Sequence, residues 1–180
     1  MQNLIAFVGM CGAGKSVATT AFVEAGYTLV YFGGVTMDEL ARRGLPKNEA
    51  NERTVREELR RELGPAAYAI KVLPKIEEGL KKGNVVLDGL YSWSEYKVLK
   101  ERFPELYVVA IVTDREKRYE RLATREVRPL TAAEAQSRDH AEIENSEKGG
   151  PIAIADKYIP NNGTPEELEA QIRALLSSLS

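Results

Sequence analysis

Gly9-Met10-Cys11-Gly12-Ala13-Gly14-Lys15-Ser16 is the stretch on which the reading of this 180-residue chain turns. It fits G-x-x-x-x-G-K-[ST], a loop whose successive backbone N–H groups converge on one concavity. The flanks suit it. Leu4-Ile5-Ala6-Phe7-Val8 is an apolar run of the length of a buried parallel strand, and residues 17–25 read as a helix ending at Gly26. Strand, glycine-rich loop and helix in that order set the N–H groups of residues 12–16 at the positive end of a helix, which favours a di- or triphosphate. Gly9, Met10, Cys11, Gly12, Ala13, Gly14, Lys15, Ser16 and Val17 are therefore the expected nucleotide-binding segment. In that arrangement Lys15 reaches the β- and γ-phosphates of ATP and the Ser16 hydroxyl binds Mg²⁺. A glycine-rich turn with no ligand leaves the lysine unexplained.

Outward from this loop, apolar runs alternate with helical patterns. Tyr27-Thr28-Leu29-Val30-Tyr31-Phe32 reads as a second strand, closed by Gly33-Gly34. Residues 36–43 form a short helix stopped by Gly44 and Pro46, residues 48–63 a charged helix, and residues 66–82 a helix with Ala69, Val72, Leu73, Ile76 and Leu80 on one face. Pro74 predicts a kink or break near Leu73. Val85-Val86-Leu87-Asp88-Gly89, residues 106–112 and Lys157-Tyr158-Ile159 are the third, fourth and fifth strands. Ser92 or Ser94 can cap the helix running to Phe103, and Asp114 the one after the fourth strand. Thr131-Ala132-Ala133-Glu134 and Thr164-Pro165-Glu166-Glu167 are helix starts with N-cap and N3 glutamate in place. The alternation implies a single α/β/α domain over residues 1–180, with about five parallel strands covered on both faces. A helical insertion lies at about 34–82, and the segment outside the sheet at about 113–155 is a candidate lid.

Composition narrows the function classes. A net charge of −2 provides no basic field, which argues against nucleic acid as the partner. The one cysteine, Cys11, permits no intrachain disulfide and suits a reducing compartment. No apolar run approaches the roughly 20 residues of a membrane span, and the chain enters a strand at once without a leader pattern. A cytoplasmic protein with a small-molecule partner and no membrane is the expectation.

Asp88 ends an apolar strand, where open α/β sheets bind ligands; a carboxylate there can hold Mg²⁺ through water or take a proton from an acceptor. Arg118, Arg121, Arg125 and Arg128 fall within roughly an 80° arc of one helix face. Such a stripe is either a solvated face or a set of guanidiniums for a migrating phosphate; Arg121 and Arg125, with Arg128, carry the second reading. Arg138 offers another lid arginine, with Asp139 beside it as a holding carboxylate, or else belongs to a surface network with Glu134 and Glu142. Among Arg42, Arg43, Asn51, Arg53, Arg56, Arg60 and Arg61, Arg60 is the first choice for a substrate phosphate, since it stands just before Gly64-Pro65. His140 has no partner cluster and belongs to the surface.

These residues resemble the nucleoside monophosphate kinases and the related dephospho-coenzyme A kinases, and most closely an uncharacterised branch related to adenylate kinase. Val86-Leu87-Asp88-Gly89 resembles the strand-Asp-Gly of adenylate kinases. Glu120-Arg121-Leu122-Ala123-Thr124-Arg125 resembles their lid entry, which implies Arg121 on the donor adenine and Arg125 on phosphates. Ala155-Asp156-Lys157-Tyr158-Ile159-Pro160-Asn161-Asn162-Gly163 resembles a dephospho-coenzyme A kinase segment, which implies Asn162 and Gly163 near the adenine. The resemblance implies strand order 2-3-1-4-5 and ATP- and Mg²⁺-dependent phosphoryl transfer to a small nucleotide-like acceptor. The acceptor side departs from the pattern. Leu90-Tyr91-Ser92 stands where adenylate kinases have x-Pro-Arg, and Gly34 and Met37 stand where the uncharacterised branch has an aspartate and an arginine. Gly34 and Tyr91 are therefore expected to shape a different acceptor pocket; Tyr91, Trp93 and Tyr96 either stack on a base or pack. Two alternatives stay open: a dephospho-coenzyme A kinase, with Asp38 as the only nearby carboxylate for a ribose hydroxyl, and a nucleotide-binding switch without catalysis.

Overall fold

The computed structural model describes residues 2–126 and 129–179. Five parallel strands, β1 (Leu4–Val8), β2 (Thr28–Tyr31), β3 (Val85–Asp88), β4 (Tyr107–Val112) and β5 (Lys157–Pro160), lie in the order β2-β3-β1-β4-β5. The register pairs Phe7 with both Asp88 and Val109, so β1 ends between the ends of β3 and β4. Alternate residues of the central strands enter opposite cores. Leu4, Ala6 and Val8 join Leu87, Val108 and Ala110 on one face, while Ile5 and Phe7 join Val86, Val109 and Ile111 on the other. Strands apolar on both faces need helices on both, and the α/β/α domain expected from the alternation is found, in the strand order that the resemblance implies.

On the second face lie α1 (Lys15–Glu24) and α9 (Pro165–Ser178), which bury Ala18, Phe22, Leu168, Ile172 and Leu175. On the first lie α2 (Gly34–Arg43), α3 (Glu49–Leu63), α4 (Ala67–Lys82) and α5 (Trp93–Arg102), contributing Leu40, Val55, Leu59, Val72, Ile76 and Leu99. The remaining helices, α6 (Arg115–Thr124), α7 (Ala132–Glu144) and the unforeseen α8 (Gly149–Ala153), lie between β4 and β5. Complete capping boxes start α5, α7 and α9 at Ser92, Thr131 and Thr164.

Two local expectations are corrected. The helix of residues 67–82 is not broken at Leu73. Pro74 is exposed, so the carbonyl it leaves without an N–H faces water, which can serve it. Asp114 occupies the N-cap of α6 but makes no side-chain capping bond; its own N–H instead donates to Asn162 Oδ1 at 2.9 Å. Asp156 accounts for the Ala-Asp pair before β5. Its N–H donates to the Val108 carbonyl and its carboxylate accepts from the Val108 N–H, at 2.8 and 2.7 Å, which aligns β5 on β4.

Candidate functional site

The glycine-rich loop leaves β1 at Gly9, with φ 149°, where a Cβ would collide with the Ile111 carbonyl. Gly14, with φ 102°, caps α1, and a Cβ there would occupy the place of the Asn161 amide. Both glycines are thus required by close approach as well as by backbone angle. The loop's carbonyls, which would repel a phosphate, are bonded to donors. Asn161 Nδ2 and Thr113 Oγ1 donate to Ala13 O at 2.8 and 3.1 Å, and Arg118 Nη1 to Cys11 O at 3.1 Å. Lys15 Nζ donates to Gly9 O and Met10 O at 2.8 and 3.1 Å. Ser16 follows as the second residue of α1, and Val17, 40% exposed, points away into solvent.

Arg118 corrects the reading of the arginine stripe. It is neither solvated nor offered to a ligand. It is buried and forms a two-bond ion pair with Asp139 of α7, at 2.8 and 2.6 Å, which Tyr119 Oη joins at 3.2 Å. Burial works against the Arg118 charge, but the bond to Asp139 outweighs it and holds the guanidinium firmly protonated. Asp139 therefore serves Arg118 and not its neighbour Arg138, whose partner is Glu142. Arg121 Nη2 donates to Asn161 O at 3.0 Å, tying α6 to the Asn161-Asn162-Gly163 turn. Asn162 holds the start of α6, and the absence of a side chain at Gly163 makes room for the Glu167 carboxylate. Arg125 stands at the C-cap of α6 and does not line the cavity described next, and Arg128 lies outside the described residues.

A cavity of about 660 Å³ opens in front of the loop. It is lined by Cys11, Gly12 and Lys15 of the loop and α1, by Arg56, Arg60 and Tyr68 of α3 and α4, and by Arg138, Glu142 and Lys148 from the segment between β4 and β5. Arg60 and Arg138 both line this cavity. Arg60 lies over the Tyr68 ring at 5.5 Å. Tyr91 lines the cavity too, whereas Trp93 and Tyr96 stack on each other at 5.1 Å and pack. Gly33, Thr36 and Met37 line it and Gly34 does not. His140 is exposed.

Two charges set the electrostatics. Burial, joined by the Lys148 charge, lowers the Lys15 pKa to about 8. Asp88, at the tip of β3, is pushed above the usual carboxylate range by burial, against the pull of Lys15. Among the described residues no group of three His, Cys, Asp or Glu could hold a metal. Ser16 and Asp88 carry the kind of hard oxygen donor that Mg²⁺ takes, one or two from a protein with phosphate and water completing its shell. Lys148 is the residue the sequence reading missed. It precedes Gly149-Gly150-Pro151, which signals a turn, but nothing local says that its ammonium is buried at the cavity.

The comparisons with known proteins agree with this geometry. A family profile described as an AAA domain matches residues 5–148. A UPF0200 protein of Thermococcus kodakarensis is 34% identical over 98% of this chain and 97% of its own length. A UPF0200 protein of Methanothrix thermoacetophila is 35% identical over 99% and 98%. Among solved structures, a Thermus thermophilus protein superposes with TM-score 0.69 at 20% identity over 99% of this chain and 98% of its own. A shikimate kinase from Bacteroides thetaiotaomicron does so with TM-score 0.63 at 15% identity, over 99% of each chain. At such identities the likeness is one of fold, and the fold is that of P-loop kinases. No helix among the described residues is long and apolar enough to cross a membrane. Sequence identity along nearly the whole length places the chain in the UPF0200 family, whose P-loop domain here is kinase-like.

Proposed function

We propose that this protein transfers a phosphoryl group from ATP, with Mg²⁺, to a small nucleotide-like acceptor in the cytoplasm. The observation that carries the reading is that one cavity joins the P-loop lysine to a second, separate set of cations, Arg56 and Arg60, with the lid residue Arg138 beside them. A protein that only binds a nucleotide has no use for that second set.

The backbone N–H groups of residues 12–16 and the Lys15 ammonium hold the β- and γ-phosphates. Ser16 and Asp88 would hold the metal, which when bound supplies positive charge to the phosphate oxygens. Asp88, with its raised pKa, is suited to accept the acceptor's proton. Arg121 and Arg125 flank the nucleotide from α6, and the Asn162-Gly163 turn lies on the adenine side. Arg60 and Tyr68 bind the acceptor, one through charge and the other through its ring. Closure of the lid over this set excludes water, the competing acceptor.

The dephospho-coenzyme A kinase alternative keeps the support of the Asn161-Asn162-Gly163 turn. Against it, Asp38, the carboxylate it would need, is exposed and paired with Lys75 at 2.5 Å. A screen of purified protein with Mg-ATP against nucleoside mono- and diphosphates and dephospho-coenzyme A tests the proposal, with Lys15→Ala as control. Acceptor-dependent ADP release with a nucleotide is expected. Turnover of dephospho-coenzyme A alone would move the assignment to that alternative. A folded, ATP-binding protein with no acceptor-dependent release would be a switch.

A further inference from the structure

Lys148 combines features that a surface lysine lacks. Its side chain is only 6% exposed, and Nζ lies 2.7 Å from Glu142 Oε2 and 4.7 Å from the centre of the Tyr91 ring. Its N–H also donates to the Glu142 carbonyl at 3.1 Å, so backbone and side chain are both tied to the end of α7. On the other side α8 is seated on α5: a Cβ at Gly150 would press on the Trp93 ring, and Pro151 is buried. The chain reaches Lys148 through Glu147, at φ 50°, a left-handed conformation that a residue other than glycine adopts only when its surroundings enforce it. Ordering a lysine and burying its charge both cost free energy. One ion pair is a modest return for so much positioning.

The direction of Lys148 explains the expense. It lines the same cavity as Lys15, near enough for the two charges to oppose each other. Arg138 adds a third cation from the lid, while Glu142 is the carboxylate that Lys148 and Arg138 share. Burial works against the Glu142 charge, and these two cations outweigh it and hold its pKa below the usual range. Because Arg138 Nε stands 3.3 Å from Oε1, Glu142 keeps a partner if Lys148 moves.

We propose that Lys148 is a catalytic residue of the lid: Glu142 holds its ammonium until it shifts onto the phosphoryl group in transit, which Lys15 grips from the opposite side. The proposal rests on the phosphoryl-transfer reading and adds a residue to it. In the step, the bond from the γ-phosphorus to the ADP oxygen breaks and a bond to the acceptor oxygen forms. Lys148 gives no proton and no electrons; it offsets charge on the oxygens of the moving group.

Titration of the protein with Mg-ADP alone and with Mg-ADP plus aluminium fluoride, which mimics the group in transit, separates the possibilities. Lys148→Met should bind Mg-ADP within about threefold of the unaltered protein but lose on the order of 10²-fold in affinity for the fluoride complex. Lys148→Arg, which retains the charge and the fold, should recover part of that loss. Full trapping by Lys148→Met would overturn the proposal and leave phosphoryl transfer standing. Equal losses for both ligands, or no recovery with arginine, would reduce Lys148 to a structural role. If the unaltered protein binds Mg-ADP and traps no fluoride, the phosphoryl-transfer reading itself falls, and the role of Lys148 with it.

Discussion

The two walls of the cavity are built by different means. On the proposed donor wall, bonds reach across the chain: Asn161 to Ala13 spans 148 residues and Arg118 to Cys11 spans 107, both from well-buried side chains. The proposed acceptor wall is α3, a charged helix that among its described side chains sends only Val55 and Leu59 fully into the core. Its ion pairs Arg53–Glu57 and Arg56–Glu52 join residues four apart on its own surface, and Arg43–Glu58 joins it to α2. Surface pairs of this kind contribute about 0.3–0.5 kcal/mol each. Breaking a buried pair by removing one partner costs about 3–5 kcal/mol. The donor wall is therefore fixed and the acceptor wall adjustable. That division suits a protein whose donor keeps one shape while its acceptor must enter and leave.

The strongest way to break this comparison is through Lys15. Lys15→Ala should lower turnover by on the order of 10³-fold, because it removes a cation aimed at the transferred charge. If single-turnover rates changed less than tenfold, the donor wall would not be where the chemistry happens.

Asp139→Ala tests the bracing itself. It strands the Arg118 charge in a buried site and should cost about 3–5 kcal/mol in urea unfolding. Arg60→Ala on the opposite wall should change stability by less than about 0.5 kcal/mol. Equal costs would erase the distinction between fixed and adjustable walls.

A smaller effect sharpens the acceptor side. Arg60→Ala should raise the acceptor KM by on the order of tenfold, with ADP affinity unchanged, as expected for a lost charge-assisted hydrogen bond. A matching fall in ADP affinity would show that the two walls are not independent.

The mildest test is pH. Lys15 attracts phosphate only when protonated, and its pKa of about 8 lies well below the ordinary lysine range. Lys148, Glu142, Cys11 and Asp88 are the charged groups that act on it. ADP affinity measured in EDTA should thus be highest below pH 8 and fall as pH rises through 8, by about tenfold at most between pH 7 and 9. A flat profile would mean that burial leaves the lysine fully charged. The sign for stability is opposite. Below pH 8 the fold must bury the charge, and that cost lessens as pH climbs from 8 towards 10.5.

What the sequence disclosed followed the same division between local and distant chemistry. The P-loop, β1 and the capping boxes at Thr131 and Thr164 depend on residues adjacent in the chain, and they stand where the spacing placed them. The strand order came from resemblance, since no local pattern fixes which strands are neighbours. Arg118 looked like one member of a stripe because the carboxylate that buries it is 21 residues away. Lys148 left no trace because Tyr91 is distant in the chain and meets it only where α8 is seated on α5. Pro74 left a kink and a break both open, and of the two the break is absent, because the cost of a helix proline depends on which side of the helix faces water. Gly34 was picked out by its place in the resembling branch, and its neighbours Gly33, Thr36 and Met37 line the cavity instead.

The bond from Asn161 to Ala13 bears on how the protein comes into being. A ribosome makes the glycine-rich loop before the amide that braces it, which follows 148 positions later. At about 5–20 residues per second that is an interval of roughly 7–30 s. Throughout it the nascent chain carries the loop's sequence without its finished shape. The loop is thus made well before it can take its braced shape, which waits until the chain has folded through to β5.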